Sequence, residues 1–301
     1  MNISSAHLSA ILAFSFWGLF PLYWKLFSEV GAWDLFGHRL LASFITLMLI
    51  MGFRRDFPKL KEIWKTPKTR ILLIISAILI STNWLLYIYA INIGKVLEAS
   101  MGYFLNPLIN VFMGWVILKE KIRITQWPSI ALAVLSMIFI ASQNLDHFPW
   151  LALTLSITFA LYGLIRKMAQ VGSLDGLTFE TCVMVIPVLI YWFYQDTTPL
   201  SIGEILPQWK IWVLTLSGIV TCLPLVLFAY SAKRLPLQTL GFIQYLSPSL
   251  KFICGLYVLQ EPLSEDKLYA FFLIWIALGW YTIESFYFMR RSKKSTVVLS
   301  E

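Results

Sequence analysis

The side chains able to do chemistry in this sequence are polar groups set inside long apolar runs, and their spacing gathers them on helical faces. Around residue 106 stand Tyr103, Asn106, Pro107, Asn110 and Gly114. Steps of three and four residues put them on one side of a helix. A second run repeats the arrangement with Gln244, Ser247, Pro248, Lys251 and Gly255. A third holds Asn83, Trp84 and Tyr87. Each proline takes one hydrogen bond out of its helix and frees carbonyls that a cavity or a bound solute could satisfy. The plainer reading is that Gly and Pro shape helix packing and nothing more, and that Asn83, Trp84 and Tyr87 pack.

A charge at the centre of a bilayer costs roughly 2.5–3.5 kcal/mol on insertion scales, so it needs a partner or a watery cavity. Lys251 lies about 5 Å from the middle of its run at 1.5 Å per residue. From that depth its ammonium reaches the interface awkwardly, so it either lines a pathway or belongs to a structural ion pair. His38 and Arg39 sit one to two turns inside their run, where snorkelling is easy, which weakens a pathway role for them. Three carboxylates, Glu98, Glu180 and Glu284, fall near or within the runs. Any of them could carry a proton and couple movement of a solute to a proton gradient. Glu98 and Glu180, however, begin helices, where negative charge is favoured by the helix dipole, and Glu284 comes late enough to reach the interface.

No intramembrane His/Glu metal set, nucleophile motif or glycine-rich phosphate loop accompanies these groups, and the three histidines are scattered at positions 7, 38 and 147. An enzyme is therefore not expected, and neither a cofactor nor a metal is implied. Cys182, Cys222 and Cys254 lie singly in apolar stretches and read as small core residues.

The elements that must position these groups follow from composition. Of 301 residues, 58% are hydrophobic and 13% charged, with a mean hydropathy of +0.73. That leaves too little polar surface to coat a soluble globule and places the chain in a bilayer. The net charge of +8 sits in short loops rather than in a basic stripe, so nucleic acid is not an expected partner. A spanning helix needs about 20 apolar residues. On that rule ten spans are predicted, at 6–27, 34–53, 71–92, 97–118, 126–143, 148–169, 177–194, 209–232, 236–259 and 268–289. With the N-terminus in the cytoplasm, 18 of the 24 Lys and Arg fall in cytoplasmic loops or the C-terminal tail. The positive-inside rule then puts both termini inside.

A constant offset of 141 residues links Val30, Gly31 and Asp34 to Val171, Gly172 and Asp175, and Leu105, Pro107, Gly114 and Glu120 to Leu246, Pro248, Gly255 and Glu261. Each repeat then carries five helices, in residues 1–145 and 146–295, followed by a tail at 296–301. Five is odd, so the second copy enters from the opposite face. Such inverted halves are the usual frame of alternating-access transporters, with the solute near the midplane where the halves meet. The expectation is an all-α integral membrane protein whose small-molecule substrate moves through a cavity lined by the third, fourth, eighth and ninth spans. A two-repeat chain suffices as a monomer, and a dimer is left open. The competing expectation is a non-transporting scaffold or receptor in which the polar groups only glue helices together.

The run Asn83-Trp84-Leu85-Leu86-Tyr87-Ile88-Tyr89-Ala90, with Leu97-Glu98-Ala99-Ser100-Met101-Gly102-Tyr103-Phe104-Leu105-Asn106-Pro107-Leu108, resembles the signature of RarD-type proteins, EamA-like members of the drug/metabolite transporter superfamily. Phe16-Trp17-Gly18-Leu19-Phe20-Pro21, His38-Arg39 and Gln126-Trp127 extend the resemblance over essentially the whole chain. It implies a ten-helix, two-repeat permease of the bacterial inner membrane, working in efflux. The substrate it implies is a small metabolite, amino acid-like, or an amphiphilic drug-like molecule. No set of family site residues comes with the resemblance, so the site rests on the polar faces. Ser247 for Asn106 and Lys251 for Asn110 make those two faces unequal.

Overall fold

The computed structural model describes residues 5–119, 123–143, 149–194, 201–232, 234–235 and 243–298, and among these it contains helices and no strand. In chain order they are α1 (Ser5–Lys25), α2 (Ala32–Arg54), α3 (Phe57–Lys65), α4 (Pro67–Asn92), α5 (Val96–Leu118) and α6 (Trp127–Gln143). There follow α7 (Trp150–Ala169), α8 (Ser173–Tyr194), α9 (Gln208–Thr215), α10 (Ser217–Ala232), α11 (Leu246–Ile253) and α12 (Glu265–Val298). A π-helical turn, Cys254–Val258, continues α11.

Local sequence sets the ends of these helices. Asp34 supplies an acidic group to the first turn of α2, and Arg55 closes that helix in the left-handed region at φ 55°. Pro67 opens α4, where its missing N–H costs nothing, and Gly94 turns the chain at φ 68° before α5. Among the described residues, five segments are long and apolar enough to cross a membrane: Ser5–Lys25, Ala32–Arg54, Pro67–Asn92, Leu174–Tyr194 and Gln208–Phe228.

Three features depart from the predicted spans. The basic stretch after α2, expected as loop, folds in part into α3, with Pro58 near its start. Its charged face is exposed while Ile63 packs with Leu73, Ala169 and Phe179. The predicted eighth span is broken at Leu216, where α9 gives way to α10. Just beyond the break, a Cβ on Gly218 would run into the Ala42 carbonyl, so α10 and α2 pack backbone to backbone there. The predicted tenth span is the start of a longer helix, and α12 runs to Val298, past the expected start of the tail. Of the predicted ninth span, residues 236–242 lie outside the described residues.

The surface is inverted relative to a soluble protein. Phe53 is 88% exposed, Phe193 79% and Ile283 70%, whereas Arg39, Ser76, Asn83 and Glu180 are buried. Lipid supplies no hydrophobic drive between helices, so small residues and side-chain-to-backbone hydrogen bonds join them. Ala77, Ala90 and Ala152 are fully buried. Ser100 Oγ donates to the Pro248 carbonyl over 2.8 Å, tying α5 to α11, and Ser136 Oγ donates to the Ala270 carbonyl over 2.9 Å, tying α6 to α12.

The packing runs between the halves of the sequence. α1 packs on α10 and α11, α4 and α5 pack on α7, and α2 packs on α8 and α10. In addition α4 meets α8, α5 meets α11 and α6 meets α12. A shift of 141 residues carries the start of α2 onto that of α8 and the start of α4 onto that of α9. Under that shift each of these pairings becomes another of them or itself.

Candidate functional site

Four side chains from three helices meet where α5 faces α11. Tyr103, one turn before Pro107 on α5, donates from its hydroxyl to Asn83 Oδ1 over 3.1 Å. The Asn83 amide in turn donates to the Leu155 carbonyl at 2.7 Å and to Thr158 Oγ1 at 3.0 Å. This orients the Tyr103 ring, and Tyr87 meets it edge to face with centroids 5.8 Å apart. Lys251 lays its ammonium on both rings, 3.5 Å from the Tyr103 centroid and 4.9 Å from that of Tyr87. Only 5% of Lys251 is exposed, so the ring faces stand in for the water it has lost.

A second cation lies close by. Arg39 on α2 is 3% exposed, and its guanidinium carbon sits 4.2 Å from the Trp84 ring centroid, 5.2 Å from that of Trp24 and 5.9 Å from that of Phe20. Its Nε donates to Thr221 Oγ1 at 3.3 Å, while Nη1 is buried without a partner. Trp84 comes three residues before Tyr87, so α4 presents ring faces to both cations. Trp84 and Tyr87, one turn apart on α4, thus carry Arg39 and Lys251 respectively. Among the described residues no carboxylate pairs with either cation.

The helix carrying Lys251 is distorted at this point. After Ile253 the backbone passes into the π-helical turn, and Leu259 donates back to the Cys254 carbonyl at 2.8 Å. Wide turns of this kind are common at functional sites. Glu261 then folds back so that Oε1 and Oε2 accept from the Val96 and Leu97 amides at 2.7 and 2.8 Å. That satisfies the free N–H groups opening α5 and locks α5 against the end of α11.

The other predicted site residues are distributed as follows. Asn106 is buried on α5 with its Oδ1 unpartnered, and Ser247 is buried on α11. Gln244 is half-buried just ahead of α11, and the contacts among described residues do not tie it to the cluster. The side chain of Asn110 lies outside the described residues. His38 turns away towards α8, its ring 5.2 Å from that of Trp192. Glu98 accepts from the Leu151 amide at 3.1 Å and pairs with Lys95 at 3.6 Å, so it caps α7. Glu284 is held by Arg123 at 2.6 and 2.8 Å and by Thr125 at 2.7 Å. Both acids therefore have structural partners away from the cations.

A paired-helix frame around unpaired buried cations suits a solute pathway, and the comparisons with known proteins decide the family. The EamA-like transporter family model matches residues 4–142 and again 149–283. The chain belongs to the EamA-like transporter family. Protein RarD of Escherichia coli is 37% identical over 288 residues, covering 95% of this chain and 97% of that protein. An uncharacterized transporter of Pseudomonas aeruginosa is 37% identical, covering 96% and 97% of the two chains, and the uncharacterized transporter YojE of Bacillus subtilis is 38% identical, covering 94% and 95%. A solved crystal structure with 16% identity shares the fold, with a TM-score of 0.60 over 94% of this chain and 99% of that one. This EamA-like chain is thus a multi-pass membrane protein of RarD type, and its relatives' names point to transport rather than catalysis.

Two features of this family member escape a reading of the spans alone. Arg39 looks shallow by depth along its helix, but depth does not reveal which way a side chain faces, and this one faces the bundle interior. Glu180 on α8 is 1% exposed. Ser76 Oγ donates to its Oε1 at 2.6 Å, and Arg166 lies 3.4 Å from the same oxygen. It lines a narrow crevice with Leu40, Ile80, Ser81, Trp84, Leu177 and Thr181. A signal for both residues was present: the 141-residue offset superposes Arg39 on Glu180, and Ser76 on Ser217.

Proposed function

We propose that the chain is a secondary transporter of the bacterial inner membrane, moving a small metabolite by alternating access past Arg39 and Lys251. In this reading ten membrane-spanning helices, with α9 and α10 counted together and α3 at the surface, form two inverted five-helix repeats at 1–145 and 146–295. Both termini face the cytoplasm. The helix starts that recur at the same offset and the mirrored pairings of α1 with α10 and α4 with α7 support two copies of one unit. The basic loops support the orientation, and the transporter names of the relatives support the activity.

The single observation that carries the proposal is the pair of buried cations, Arg39 and Lys251, without carboxylate partners among the described residues. Burying an unpaired charge is costly, and a membrane protein that only needed to glue its helices would gain from replacing both residues with apolar ones. A charge kept at such a cost is accounted for when a solute compensates it during part of a cycle. Counterflow into proteoliposomes loaded with a panel of unlabelled metabolites tests this. At least one solute is expected to drive uptake of its labelled form in the wild type and to fail in Lys251→Met. Equal uptake in both would remove Lys251 from the mechanism.

A further inference from the structure

The chemistry of the enclosure says more than that a solute binds. Arg39 and Lys251 bring two positive charges, each resting on aromatic faces rather than on an acid. Hydrogen-bonding capacity is skewed the same way. Arg39 Nη1 and Trp24 Nε1 are buried donors without acceptors, and the Tyr87 hydroxyl is buried without any partner. Buried donors of this kind are normally matched. Asn106 Oδ1 is the unpartnered acceptor on the neighbouring turn of α5, enough for a hydroxyl but without the charge to hold an ammonium. The carboxylate that lines the crevice with Trp84, Glu180, has its charge matched by Arg166 and its Oε1 engaged by Ser76, while its Oε2 is buried without a hydrogen-bond partner.

From this surplus of positive charge and of donors we infer that the site takes a small organic acid carrying net negative charge, its carboxylate held between Arg39 and Lys251, and that dianions are preferred to monoanions. Zwitterionic amino acids and amines are disfavoured, because among the described residues no carboxylate pairs with Arg39 or Lys251 and Glu180 is already matched in charge by Arg166. The cations rest on Trp84, Tyr87 and Tyr103 in this structure and swing from ring to carboxylate when the anion binds. Guanidinium and ammonium bind a carboxylate more strongly than a ring face. The inference rests on the transport reading of the same site, yet binding can be tested apart from transport.

The full chain is purified in detergent and its thermal unfolding followed at matched ionic strength with phthalate, benzoate, L-phenylalanine or benzylamine. A ligand that binds the folded state raises the midpoint. Phthalate is expected to raise it most and benzoate less, with an affinity ratio of about tenfold, while phenylalanine and benzylamine leave it unchanged. Arg39→Met and Lys251→Met are expected to unfold at higher temperature than the wild type without ligand, since each removes an uncompensated buried charge. Both should bind phthalate at least about tenfold more weakly, and Lys251→Met should lose the preference for phthalate over benzoate. Arg39→Lys and Lys251→Arg keep the charge and should keep the anion response, which covers the case of a Met variant that fails to fold. A shift with benzylamine or phenylalanine larger than that with benzoate overturns the inference. So does a wild type that responds to neither anion, or an anion response unchanged in both Met variants. Anions that bind but do not exchange in counterflow would sink the transport reading and leave the anion site standing. Counterflow of phenylalanine without an anion response would do the reverse.

Discussion

At the scale of single residues, the buried polar cluster joins Asn83, Tyr87, Tyr103 and Lys251, which share helical faces by their spacing, with Arg39 close by on the Trp84 ring face of α4. Asn83, Tyr87, Tyr103 and Lys251 were legible because an amide, a phenol or an amine inside an apolar run needs a partner, and i, i+4 spacing says which of them share a face. Arg39 was not, because its azimuth on α2 is set by Trp24, Trp84 and Thr221 from distant parts of the chain. Glu98 and Glu284, read in the sequence as helix-start and interfacial acids that could also carry a proton, have the Leu151 amide and Arg123 as partners. Asn83 holds α4, α5 and α7 at one point through Tyr103, Leu155 and Thr158. Asn83→Ala should therefore cost about 1–2 kcal/mol, the upper end for polar contacts between membrane helices. Titration with a denaturing detergent measures it, and a loss below a few tenths of a kcal/mol would mean that Asn83 does not hold the helices.

At the scale of elements, positions of helices were readable and their imperfections were not. Hydropathy locates a run that suits a bilayer, but it does not see the break at Leu216 or the π-turn after Ile253, which lie beside glycines packed close to other helices, Gly218 on the Ala42 backbone and Gly255 on Leu97. Glu261 illustrates the consequence. In the sequence it is one more loop acid. In the structure it accepts from both the Val96 and Leu97 amides and so ties the end of α11 to the start of α5. Glu261→Ala leaves those two amides without acceptors and should cost about 1–2 kcal/mol, as for loss of a helix cap. Hydrogen exchange at Val96 and Leu97 should speed up before the rest of α5 is affected. Unchanged protection there would show that the carboxylate contributes nothing to the end of the helix.

At the scale of the whole molecule, the mirrored pairings and the offset that places Arg39 over Glu180 make sense together. Helices from the first part of the sequence pack on helices from the second, and the opposite charges Arg39 and Glu180 stand 141 residues apart, at the offset that also relates the helix starts. A handful of identities at one offset says nothing of which helices touch, because packing partners depend on the azimuth of each helix; the observed pairings are those in the structure. Substrate chemistry was the least legible property, because it depends on which donors are left unmatched once everything has packed. The account stands or falls on whether the region around Lys251 opens to each side of the membrane in turn. In a chain with Cys182, Cys222 and Cys254 replaced by Ala, Ser247→Cys in oriented vesicles can be challenged with a membrane-impermeant thiol reagent from either face. Labelling from both faces is predicted, with phthalate slowing it. A Ser247→Cys chain that folds, inserts and is labelled from neither face would contradict the account.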